Sequence, residues 1–327
     1  MLDLTVISPI LLWTAIAIYA AAFVAYAFDL ARRSQLSADS QMVTESALVG
    51  AGVGARGNSA VRATAGGTDA PPQRFVMARI GTSLTVLGFL FHFGATLTRG
   101  ISAGRVPWAN LYEFAMIGTL LIIAVYLVVL LRVDLRFLGT FITGLIVVLL
   151  GLAATNFYID VTPLMDPLKS VWLVIHVFVA SLGTAFFALS FALSVIQLMQ
   201  SRRERLVSDG AEKTGPGFLR TFPGSERLES MAYRFTIIGF ILWTFTLIAG
   251  SIWAYYAWSR FWGFDVKETW TFVIWVLYAG YIHARATRGW RGNPSAWLAI
   301  VGFSAVLFNF TIVNVFFKGL HAYSGLS

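Results

Sequence analysis

Four histidines and a dense run of tryptophans are the residues of this 327-residue chain whose types and spacing invite chemistry. Neutral imidazole suits a borderline metal such as iron or zinc, and porphyrin iron commonly takes two axial ligands. His176 follows Trp172 by one helical turn, and His321 stands in the stretch Gly319-Leu320-His321-Ala322-Tyr323. Between them in the chain lie Trp253, Trp258, Trp262, Trp270 and Trp275, interleaved with Tyr255, Tyr256, Phe261, Phe264, Asp265, Lys267 and Glu268. An aromatic belt at a membrane interface would account for some of these rings, but a belt needs only a few aromatics at each helix end. A run that fills a whole connection suits an amphipathic platform. It can stack a large flat apolar ligand while indole N–H groups and charges hold its polar edges.

The remaining titratable groups divide less sharply. His283 is thirteen residues from Trp270, or ~20 Å along a helix, and cannot share one small site with the aromatic run. It reads either as an interfacial side chain at a helix C-terminus, where cations are favoured, or as a ligand or relay at a second, deeper site. His92, in Phe89-Leu90-Phe91-His92-Phe93-Gly94, is left without a role. Glu113, after Asn110-Leu111-Tyr112, either pairs with Arg105 or Arg99 or caps a helix. Asp265 and Glu268 are three apart, a spacing that can orient the platform, pair with Lys267 or Arg260, or face water. It does not mark a pair of acid and base catalysts. The chain has no cysteine, which excludes a disulfide, a thiolate metal site and a cysteine nucleophile.

These residues must be positioned by helices that cross a bilayer. The chain is 57% hydrophobic and 12% charged, with a mean hydropathy of +0.74, whereas soluble domains are roughly a quarter charged. The apolar residues gather into eight blocks, roughly 9–29, 77–98, 112–131, 137–155, 171–198, 233–256, 270–284 and 295–317. Each approaches the ~20 residues a span requires, because backbone polar groups in lipid must be satisfied inside a helix. The seventh block is short and polar at both ends. The expected fold is an all-α polytopic bundle of about eight transmembrane helices. Residues 1–36 form a retained first span, since Arg32 and Arg33 follow it where a signal peptide would carry small residues.

A net charge of +8 belongs to loops rather than to nucleic-acid binding. Of the 24 basic residues, 18 fall in 30–76 and at Arg79, in 132–136, in 199–234 and in 285–294. Arg99, Arg105, Lys169, Arg260, Lys267 and Lys318 are the other six. Lys and Arg are retained on the cytoplasmic side, so strict alternation puts both termini outside the cytoplasm, together with the connections 99–111, 156–170 and 257–269. Residues 37–73 are rich in Ser, Ala, Gly and Thr, carry too little apolar surface to fold, and read as a disordered cytoplasmic linker. Residues 74–327 then form the domain that carries the chemistry, with its outer loop at 253–270.

From about residue 80 to its end, the chain resembles the heme-handling cytochrome c biogenesis family of CcsA/ResC type, called CcsB in some bacteria. The family's tryptophan-rich pattern, WGxYWxWDPKExW, is met by Trp258-Ser259-Arg260-Phe261-Trp262-Gly263-Phe264-Asp265-Val266-Lys267-Glu268-Thr269-Trp270. Ser259 stands for its Gly, Phe264 for Trp and Val266 for Pro. Phe264 keeps a stacking face without an indole N–H, and Val266 removes a fixed turn. VPWANLYEF at 106–114, WLVIH at 172–176, YAGYIHARATRGWRG at 278–292 and NVFFKGLHAYSG at 314–325 continue the likeness in order.

The resemblance implies a bacterial plasma-membrane protein that binds and translocates heme b and presents it for thioether attachment to the CxxCH motif of apocytochrome c. It implies His176 and His321 as outer heme-iron ligands, and His283 as a ligand associated with heme uptake from the cytoplasmic side. Trp258, Trp262, Phe264, Asp265 and Trp270 would contact or orient the ring. The opposite ligand at the inner site would come from a ResB/Ccs1-type membrane partner, and thiol-reducing proteins would keep the apocytochrome cysteines reduced. The chain would then be a subunit of an attachment complex that contributes no nucleophile. Rival readings are a heme chaperone or exporter without attachment activity, a solute transporter, for which the spans offer few polar groups, and a structural anchor for a partner.

Overall fold

Apolar runs with their backbone polar groups satisfied internally form nine helices among the residues described by this computed structural model, which are 4–53, 76–164, 166–211, 215–287, 289–317 and 319–321. They are α1 (Leu4–Val53), α2 (Val76–Ala103), α3 (Leu111–Leu130), α4 (Gly139–Asn156), α5 (Val171–Ser208), α6 (Ser225–Trp258), α7 (Val266–Thr287), α8 (Asn293–Phe310) and the single-turn α9 (Ile312–Phe316). Seven segments are long and apolar enough to cross a membrane, α8 and α9 together forming one of them. α7 is the remaining long helix, with 22 residues. Lys267 and Glu268 near its start and His283 and Arg285 near its end dilute an otherwise apolar stretch. The bundle therefore has seven apolar spans plus α7, in line with an all-α polytopic fold.

One boundary differs from expectation. α1 continues to Val53, so the segment 37–73 begins as helix rather than as disordered linker. Ala38, Gln41, Met42, Glu45, Ala47 and Leu48 are strong helix formers, and a helix already nucleated by a long apolar span extends at little cost. The rest of that segment lies outside the described residues.

Local signals set the helix ends near the site. The Asn110 side chain accepts from the backbone N–H of Glu113 at 2.9 Å and starts α3, and Ser170 accepts from Trp172 at 3.2 Å and starts α5. Both are N-caps that satisfy an otherwise orphaned donor. α6 stops at Ser259, which adopts a left-handed conformation with φ 57°.

Successive helices run antiparallel. Ser8 on α1 donates to the Ala95 carbonyl on α2 at 2.8 Å, and Tyr26 meets Thr82 at 3.0 Å. Ser190 on α5 donates to Ala232 on α6 at 3.0 Å. Ser295 at the start of α8 donates to Tyr281 near the end of α7 at 3.2 Å. The connections after α2, α4 and α6 consequently gather at one end of the bundle with residues 319–321 and the start of α1. Those after α3, α5 and α7 gather at the other. Large side chains such as Ile10, Phe28, Leu90, Val128, Val148, Ile241 and Val301 remain exposed around the circumference, the placement expected of side chains that face lipid.

Each end is tied by a buried carboxylate. At the first, Glu113 accepts from Arg99 Nε at 3.0 Å and Arg105 Nη1 at 2.7 Å, and from the Ala109 amide at 2.9 Å. Arg99 and Arg105 also reach the carbonyls of Ile159 and Thr162. Of the sequence alternatives for Glu113, the structure therefore shows pairing with both arginines, while Asn110 provides the cap. At the second end, Glu229 accepts from Arg285 Nε at 3.1 Å and from the Gly292 amide at 2.8 Å.

Candidate functional site

Helix α6 contributes three functions from one face. Thr246, Gly250 and Trp253 are spaced by four and three residues, the interval that aligns side chains along a helix. The Thr246 carbonyl lies 3.0 Å from His176 Nδ1. A carbonyl can only accept, so Nδ1 carries the proton and Nε2 keeps its lone pair. Gly250 leaves room for the ring: a Cβ there would stand 2.6 Å from His176 Cε1. The Trp253 indole, 2% exposed, stacks on the same imidazole with centroids 5.9 Å apart and planes at 14°.

His321 reaches that indole from the chain's end. Its ring lies 5.3 Å from Trp253 and 4.9 Å from Trp258. Its Nδ1 donates to Asp265 Oδ2 at 2.8 Å, while Oδ1 accepts from the Leu320 amide at 3.1 Å. This hydrogen bond from His321 is the main influence holding the Asp265 carboxyl below its ordinary value of 3.8. The tail approaches so closely that a Cβ on Gly319 would overlap Asp265 Oδ1. Asp265 is in turn fixed by the residue three positions later. Glu268 Oε2 accepts from the amides of Gly263 at 2.8 Å and Asp265 at 3.2 Å, closing the first turn of α7 in the manner of a capping box.

Both imidazoles therefore have Nδ1 engaged, one by a carbonyl and one by a carboxylate, which leaves the Nε2 lone pair available. Metal-binding histidines are oriented in this way, with the second nitrogen fixing tautomer and direction. Both rings line a cavity of about 210 Å³, together with Trp108, Trp243, Trp253 and Phe310. A smaller space of about 60 Å³ shares His176, Trp253 and His321 and adds Trp262 and Glu268. Two nitrogen donors against aromatic and aliphatic walls fit the axial pair and flat apolar body of a heme. Among the described residues no group of three or more His, Cys, Asp or Glu could hold a metal ion, and an axial pair needs only two.

Phe264 and Trp270, expected at the site, fall elsewhere, and the two remaining histidines lie apart from it. Phe264 is 82% exposed, in a left-handed conformation on the loop. Trp270 turns towards α8, its ring 4.5 Å from Phe308. His283 is exposed near the opposite end of α7. His92 is fully buried between helices, with Nδ1 3.5 Å from the Tyr19 hydroxyl. Sequence reasoning passed over Trp108, Asn110, Thr246 and Gly250 as site residues. It counted Trp253 and Lys267 as members of the aromatic run without giving either a part. The four-and-three spacing of Thr246, Gly250 and Trp253 was the available signal, but a sequence does not say which face of an apolar helix meets its neighbour.

The model of the family described as "Cytochrome C assembly protein" matches residues 108–321. "Cytochrome c biogenesis protein CcsA" of Guillardia theta is 32% identical over 262 residues, covering 76% of this chain and 86% of that protein. A counterpart of the same description from a strain of Prochlorococcus marinus is 33% identical over 247 residues, covering 69% and 78% respectively. Among solved structures, "Cytochrome c Heme Lyase CcmF" superposes with a TM-score of 0.61 at 16% identity, over 95% of this chain and 47% of that one. At that identity the likeness is one of fold.

Proposed function

The chain belongs to the cytochrome c assembly protein family, as a CcsA/ResC-type heme-handling membrane protein of cytochrome c biogenesis, and from this premise we propose that His176 and His321 hold heme b through Nε2. The observation that carries the reading is the matched pair of Nδ1 contacts to Thr246 and Asp265 on two imidazoles lining one cavity. Trp253 and Trp258 contact the rings directly, and Trp262 borders the smaller space.

The substrate protein is an apocytochrome c with a CxxCH motif. Each of its cysteine thiols adds across a heme vinyl group, sulfur to one carbon and hydrogen to the other, so the step is redox-neutral and needs no nucleophile from this chain. The contribution here is positioning: the iron is held by side chains whose tautomers are already set, and the porphyrin is held at a fixed orientation. The cytochrome's own histidine replaces one of the two axial ligands.

The charge bias of the loops supports an orientation in which the end that carries His176 and His321 faces the extracytoplasmic side of the bacterial plasma membrane, with both termini on that side. His283, exposed near the cytoplasmic end of α7, suits an inner heme ligand completed by a ResB/Ccs1-type partner that covers this surface. Thiol-reducing proteins would supply the reduced apocytochrome.

The visible spectrum of the detergent-purified protein, alone and with its co-expressed partner, tests the outer site. Reduced bis-histidine bands are expected, weakened and rescued by added imidazole in His176→Ala and His321→Ala. A folded, colourless complex that stays colourless when heme is supplied would refute the assignment.

A further inference from the structure

We propose that Lys267 is the anchor for a carboxylate of the bound porphyrin, a positioning element of the same site that rests on the heme reading above. Lys267 lies in the first turn of α7, where the helix dipole disfavours a cation. It nevertheless lines the 210 Å³ cavity and the 60 Å³ space beside it. Among the described residues bordering the 210 Å³ cavity it is the one lysine or arginine, and no carboxylate side chain joins it there.

The ammonium has a neutral partner. Nζ donates to Asn314 Oδ1 at 2.5 Å, and among the described residues it forms no ion pair. The neighbouring acids are turned to other work. Asp265 receives His321 and the Leu320 amide, and Glu268 receives two loop amides. Asp265 attracts this charge only from beyond ion-pair distance, a charge taken from water without a contacting counter-ion is costly, and the α7 N-terminus adds positive potential at the same place. A ligand anion relieves both.

The cavity wall holds donors that can receive such a group. Asn110 Nδ2 and Trp108 Nε1 are buried without a hydrogen-bond partner, and both residues line the cavity. Asn309 Nδ2 donates to Thr271 Oγ1 at 3.2 Å, and Thr271 bonds the Lys267 carbonyl at 2.7 Å, so the lysine's own turn is braced from α8. A planar, largely apolar macrocycle bearing carboxylates matches a cavity whose walls are aromatic and aliphatic apart from this polar sector.

The test compares binding of iron protoporphyrin IX and its dimethyl ester to the full chain in detergent by spectral titration, in the wild type, Lys267→Met and Lys267→Arg. The wild type is expected to bind the diacid about tenfold or more tighter than the ester, the scale of a charge-assisted hydrogen bond. In Lys267→Met the diacid is expected to fall to the ester's affinity while ester binding holds, and Lys267→Arg is expected to restore part of the preference. Equal wild-type affinity for both porphyrins, or equal weakening of both by Lys267→Met, would overturn the carboxylate role while leaving the histidine site intact. If the wild type binds neither with a bis-histidine spectrum, the heme reading itself fails and this inference with it.

Discussion

The two ends of the bundle use the same residue types to different ends. At the end that carries the cavity, each imidazole has one nitrogen committed to a fixed acceptor and the other left as a donor atom. Towards the other end, His283 is exposed and Arg285 is taken up by Glu229 and the face of Tyr233, its guanidinium 3.8 Å from the ring centroid. A histidine becomes a prepared ligand through the group that holds its second nitrogen and the space in front of its first. The buried carboxylates differ in parallel. Glu113 ties the end of α2, the following loop and the start of α3 through two arginines that also grip the 157–164 connection. Glu229 joins one arginine and one amide.

Removing the outer tie has the largest expected effect. Glu113→Ala leaves Arg99, 2% exposed, and Arg105 without their carboxylate, and breaking such a buried pair costs about 3–5 kcal/mol. Thermal unfolding in detergent reads the loss, with Glu229→Ala expected to cost less. A Glu229 variant as damaging as Glu113→Ala would erase the contrast between the ends.

Gly250→Ala sharpens the comparison within the site. Its Cβ would overlap the His176 ring, an overpacking cost of about 1–3 kcal/mol. The imidazole must shift away from Thr246, so weakened bis-histidine absorption is expected alongside retained folding.

Asp265→Asn removes the charge behind His321 while keeping an acceptor. Loss of such a supporting group lowers metal affinity by about 10–100-fold, here measured by heme titration. The wild-type Asp265 value is lowered on folding, chiefly by the His321 hydrogen bond. Its contribution to stability is therefore complete above the ordinary 3.8 and is lost as pH falls through the lowered folded value. The stability difference between wild type and Asp265→Asn is expected to shrink over that acid window, as followed by unfolding at a series of pH values.

The smallest effect is a gain. Ser259 holds φ 57° at the end of α6, a left-handed conformation that costs a non-glycine residue about 1–2 kcal/mol. Ser259→Gly, which restores the residue common in the family pattern, is expected to raise stability by about 1 kcal/mol with heme affinity unchanged.

The sequence by itself determined the helices, because a 20-residue apolar run in lipid has few alternatives that satisfy its backbone. It also marked His176, His321 and the tryptophan-rich run, whose residue types are chemically specific. It did not determine how far α1 continues, since helix propensity and the composition of a linker overlap in the stretch from Ala38 to Leu48. Nor could it separate Trp258, beside His321, from Trp270, turned towards Phe308, because both belong to one pattern. Tertiary structure decided those, and decided that Thr246, Gly250 and Asp265 prepare the imidazoles. A carbonyl's direction, a missing Cβ and the approach of a tail 55 residues away arise only when the helices are assembled.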